Sequence, residues 1–147
     1  MAKFSTGLRN AMMGSSGCKE LLTGGTLRIF SGTPPLSADD AEDGELLMEL
    51  TAGGAPGAGL SFAEPSGAKL SKAAGEVWMT NSTEASGTAT YFRFVAAGDD
   101  PMDSSGGMIR IQGTVGEVAS DMNVTDPEIA SGEPWILNHF RVGLPTQ

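Results

Sequence analysis

One short run, Tyr91-Phe92-Arg93-Phe94-Val95, limits what this chain can fold into more than any other feature. It alternates, it is only five residues long, and a small, glycine-bearing stretch leads into it. An amphipathic helix needs an apolar stripe of period 3.6 sustained over ten or more residues, so this run reads as a strand. The same grammar recurs along the chain. Thr26–Phe30 sets Leu27 and Ile29 on one face and Arg28 and Phe30 on the other. Glu45–Leu50, Glu76–Thr80, Met108–Val115 and Asp121–Val124 read as strands too, with Ser61-Phe62 and Ala68–Ser71 as weaker ones. A final strand over Trp135–Val142 puts Ile136, Phe140 and Val142 on one face, with Asn138 among them. Many of the 21 glycines and 8 prolines fall in the spacers. About eight or nine strands at this spacing predict an all-β fold, an antiparallel β-sandwich of jelly-roll or immunoglobulin-like type. Its expected core is Leu27, Ile29, Phe92, Phe94, Ile109, Ile111 and Phe140.

Residues 3–22 are the one stretch with helical character. Leu8, Met12, Leu21 and Leu22 form partial apolar faces, and Gly14-Ser15-Ser16-Gly17 interrupts them. The expectation is a short N-terminal arm, helical or irregular, over residues 1–24, ahead of a sandwich domain over 25–147. Its contacts are expected to depend on neighbouring molecules, and the sandwich is expected to fold without it.

Charge divides the chain the same way. Residues 1–30 hold Lys3, Arg9, Lys19 and Arg28 against Glu20, a net +3, while the whole chain carries −9, which leaves −12 on the remainder. Such an acidic body repels phosphate, so no nucleic-acid partner is expected. The chain has no run near the ~20 apolar residues of a membrane helix, and its first residues lack the apolar stretch of a secretory signal. Cys18 is the sole cysteine, so no disulfide within the chain can form, and a reducing cytoplasm is the expected place of folding.

Groups that could do chemistry are sparse. Asp39–Glu45 has the look of a calcium loop, but Ala41 and Leu50 fall where an EF-hand needs oxygen ligands. Asp99, Asp100 and Asp103 could meet a cation from another loop, although solvated turn carboxylates are the commoner outcome. His139 is the single imidazole, and neither a zinc-ligand spacing nor a G-x-S-x-G elbow accompanies it. Asn81 and Asn123 head N-x-[ST] sequons, which matter only on a secretory route. Trp78, Tyr91 and Trp135 would stack on sugars if they shared an exposed face, and core packing is their ordinary use. No catalytic, cofactor-binding or metal-ligating residue is assigned, and no cofactor is expected.

Five pieces taken in order resemble the small virion structural proteins of tailed bacteriophages. They are Thr26–Pro34 (T-L-R-I-F-S-G-T-P), Leu46–Leu50 (L-L-M-E-L), Ala85–Phe94 (A-S-G-T-A-T-Y-F-R-F), Gly113–Gly116 (G-T-V-G) and Asp121–Val124 (D-M-N-V). The resemblance spans roughly residues 24–142. It implies a β-sandwich decoration or cement protein without catalytic residues, which binds and reinforces an assembled head. The implied partners are the major capsid protein and neighbouring copies in a homo-oligomer, a trimer being one arrangement that shell symmetry suits. The implied location is the virion, assembled in the host cytoplasm. The E-P-W-I-L-N-H-F-R ending and the D-D-P-M-D-S-S-G-G loop depart from the pattern. The alternative is a tail- or fibre-associated structural or carbohydrate-binding module.

Overall fold

The structure, a computed structural model, describes residues 2–144. Its elements in chain order are β1 (Lys3–Phe4), α1 (Thr6–Met13), α2 (Cys18–Leu22), β2 (Thr26–Ser31), β3 (Glu45–Ala52), β4 (Lys69–Ser71) and β5 (Trp78–Thr80). They continue as β6 (Gly87–Thr88), β7 (Tyr91–Val95), β8 (Arg110–Gly116), β9 (Met122–Asn123), β10 (Glu128–Ile129), β11 (Trp135–Leu137) and β12 (Arg141–Gly143). The fold is all-β and sandwich-like, as the alternation predicts.

The main sheet runs β1-β8-β7-β2-β3-β5-β11. Every pairing along it is antiparallel, and β9 adds to β8 in parallel. β3 holds two layers together. Its residues 45–50 pair with β2, and Thr51 and Ala52 pair with β5. Leu47 is the extra residue of a bulge opposite Ile29/Phe30, and it bends β3 there. β5 thereby folds back over the sheet, and Trp78 meets Phe94 across the interior with ring centroids 6.3 Å apart. Phe62, Phe92 and Phe140 complete that aromatic cluster. Leu27, Ile29, Phe92, Phe94, Ile111 and Phe140 are all buried in it, and Ile109 packs half-buried at its margin.

Two expectations need correcting. The final segment is two strands rather than one, because β11 pairs with β5 while β12 pairs with β4 in a separate ribbon. The break at Asn138-His139 turns the alternation over, so Ile136 lies exposed and Leu137 is buried. The N-terminal segment is also no loose arm. β1 extends the sheet along β8, and Leu8 and Leu22 are wholly enclosed in the core. Ser5 caps α1: its Oγ accepts hydrogen bonds from the Leu8 and Arg110 amides and donates to the Met108 carbonyl. Gly7 lets the helix approach this closely, since a Cβ there would stand 2.5 Å from the Gly107 backbone.

Candidate functional site

Every residue of β7 is buried, so the sheet is covered on both faces. The face away from the aromatic core carries a polar row across five strands. Register aligns Glu49 with Arg28, Arg28 with Arg93, Arg93 with Gln112, and Gln112 with Lys3. Strand alternation puts these side chains on one side. The loop between β2 and β3 lies over the row and supplies what three guanidinium groups need.

Arg93 donates to the carbonyls of Asp40 and Ser37 and to the Gln112 side chain. Gln112 passes its own amide N–H to the Pro35 carbonyl. Arg28 holds the Glu42 and Glu49 carboxylates and lies 5.9 Å from the Phe30 ring centre. Arg110 grips the other acidic loop. Its Nε and Nη2 donate to the two Asp99 carboxylate oxygens, and Nη2 also reaches the carbonyls of Asp100 and Asp103. Tyr91 donates its hydroxyl proton to the Asp43 carbonyl and stacks on Phe30.

Burial sets the electrostatics of this layer. It pushes the Glu42 carboxyl up despite Arg28, Arg93 and Arg110 nearby, and Glu42 Oε2 has no hydrogen-bond partner. It also depresses Arg93, whose Nε is likewise without a partner, and Arg110 adds repulsion there. Hydrogen bonding to Asp99 dominates at Arg110 and raises it. Arg28 is raised too, since its two carboxylates outweigh its burial.

The acidic loops divide their carboxylates: Asp43, Glu45, Asp100 and Asp103 are exposed, as solvated turn carboxylates are, while others turn inward. Glu42 and Asp99 neutralise buried arginines, and Asp39 accepts hydrogen bonds from the Thr6 amide and hydroxyl. No group of three His, Cys, Asp or Glu side chains among the described residues is placed to hold a metal ion. The sequence reading set Arg28 on the face opposite Leu27 and Ile29 and missed the cluster that gathers there. The available signal was one arginine in each of three strands together with two acid-rich loops.

The proposed stacking trio is not assembled. Trp78 and Tyr91 are wholly buried, and only Trp135 is half-exposed. Trp135 lines a hollow of about 330 Å³ with Asn123, Asp126, Asn138 and His139. A second hollow of about 610 Å³ shares Asn123, Asn138 and His139 with it and brings in Lys72 and Arg141. His139 is exposed rather than tucked into a strand. Two further, adjoining apolar hollows of about 300 and 490 Å³ share Phe4, Met12, Gly143 and Leu144. Cys18 lines the smaller one, and burial raises its thiol pKa. No helix among the described residues is long and apolar enough to cross a membrane.

No family model, no curated protein and no solved structure matches this chain.

Proposed function

We propose that this chain is a non-enzymatic structural protein of a tailed-bacteriophage particle, a decoration or cement protein that binds and stabilises the assembled head. Its partners in this reading are the major capsid protein and neighbouring copies of itself. One observation carries the proposal. The five pieces that resemble phage virion proteins fall on β2, β3, β6–β7, β8 and β9, and β3-β2-β7-β8-β9 are consecutive neighbours in the sheet. The likeness thus follows one continuous patch of scaffold.

Its small residues have structural work there. A Cβ on Gly113 would lie 2.6 Å from the Phe92 ring, and one on Gly116 would lie 2.5 Å from Ser120 Oγ. The Asp121 carboxylate accepts hydrogen bonds from the amide and hydroxyl of Thr114, fixing the turn into β9. The apolar hollows beside α1 offer a surface for assembly. The test is mass spectrometry of purified particles, followed by rebinding of recombinant protein to shells stripped of it. Stoichiometric presence and saturable rebinding are expected. Absence from the particles defeats the proposal.

A second reading, a carbohydrate-binding accessory module, is favoured by the hollow in which Trp135 faces Asn123, Asp126, Asn138 and His139. An aromatic ring beside amides and a carboxylate is suited to a sugar's apolar face and hydroxyls. A glycan array on the wild type and Trp135→Ala checks it: binding lost in the variant supports it, and no binding by the wild type removes it.

A further inference from the structure

We propose that the loop tip at Met102 docks into the apolar groove between α1 and β12 of a second copy of this chain. The inference rests on the self-assembly part of the reading above and names its contact surfaces.

The groove is formed by the two adjoining hollows beside Phe4, Met12, Met13 and Leu144. Met13 is 87% exposed at its edge, and an unbranched thioether adapts to whatever enters. The charged side chains lining the two hollows are Arg9, Lys19 and Lys69. Lys19 is paired with Glu64, and no carboxylate among the described residues lines either hollow. The occupant should therefore be an apolar side chain flanked by carboxylates.

The loop after β7 offers that combination. Met102 is 65% exposed and lies between Asp100 and Asp103. The loop behind it is held from three directions. Arg110 binds Asp99 and the carbonyls of Asp100 and Asp103, the Glu42 amide donates to the Pro101 carbonyl, and the Ser105 amide donates to the Asp39 carbonyl. A tip fixed in advance loses little entropy on docking. This also gives the buried Arg110 a purpose beyond stability: it presents Met102.

Other exposed apolar side chains fit less well. Leu36 has Lys3 bonded to its own carbonyl, which would bring a cation to a cationic rim. Val118 has one adjacent carboxylate, Glu117, and Ile136 has none beside it. Met102 lines neither hollow, so tip and groove are different surfaces. Such a contact is heterologous and builds a ring or an open chain.

The test is the molar mass of the full chain by light scattering over a concentration series. Wild type should gain mass with concentration, and added salt should weaken the association. Met102→Glu and Met13→Glu should each weaken association by about tenfold or more. Both sites are surface positions, and circular dichroism checks that each variant is folded. Mixing the two variants should restore association but stop it at a heterodimer, because the intact tip of one meets the intact groove of the other. The proposal is overturned by a wild type that stays monomeric throughout. It is equally overturned if either single variant associates normally, or if the mixture stays monomeric. Particle content is a separate readout: a chain missing from virions sinks the virion reading and leaves this contact standing, and a monomeric chain found in virions does the reverse.

Discussion

Arg110 and Asp99 face each other in a two-pronged ion pair, Nε to Oδ2 at 2.7 Å and Nη2 to Oδ1 at 2.9 Å, with both side chains shut from solvent. Removing one partner strands the other as a buried charge. Asp99→Ala should cost about 3–5 kcal/mol, read from urea unfolding. Replacing both residues by apolar ones should recover much of that loss. A cost below about 1 kcal/mol for the single variant would mean water reaches Arg110.

Phe94 is fully enclosed among Phe62, Trp78 and Phe140. Phe94→Ala should cost about 3–5 kcal/mol, the range for emptying an aromatic site in a packed core. A much smaller loss would show that the cluster can collapse into the gap.

The N-terminal segment should prove indispensable. Leu8 and Leu22 fill the core, and Ser5 supplies a partner to the Arg110 amide. Deleting residues 2–22 should leave no cooperative unfolding transition. Ser5→Ala should cost about 2 kcal/mol, combining a lost helix cap with a buried amide left unpaired. A truncated chain that melts cooperatively would return the segment to the status of an arm.

Acid stability should depend on Asp39 and Glu76. Burial alone would raise both carboxyls. Two hydrogen bonds from Thr6 outweigh it at Asp39, and bonds from Ser61 and Trp78 do so at Glu76, so each is held below its ordinary value of 3.8 or 4.5. A carboxyl depressed in the folded state contributes stability that is complete above the ordinary value and lost as pH falls through the depressed one. Glu42 works the other way, since burial raises it. Between 4.5 and its raised value, stability falls as pH rises. Urea midpoints measured against pH should show a flatter acid limb in Asp39→Asn and Glu76→Gln. An unchanged limb in both would place the acid sensitivity elsewhere.

By itself the sequence determined the strands and one face of the sheet. Leu27, Ile29, Phe92, Phe94 and Ile111 announce an apolar face because side chains in a strand alternate with period two, a purely local property. The same alternation put Arg28 on the opposite face without saying what lies there. Only the tertiary structure decided that this face is buried, because the covering segments, Pro35–Asp43 and Asp99–Ser105, are loops whose path follows no period. Trp135–Val142 shows the same limit: one run that reads as a strand divides at Asn138 because its halves pair with two different strands, β5 and β4, much earlier in the chain. Leu8 and Leu22 gave too weak a stripe to signal their burial, which depends on β1 pairing with β8 more than a hundred residues away. Local pattern follows from the covalent geometry of a few residues, whereas pairing partners, loop cover and the placing of Met102 and the α1 groove depend on contacts between distant parts of the chain.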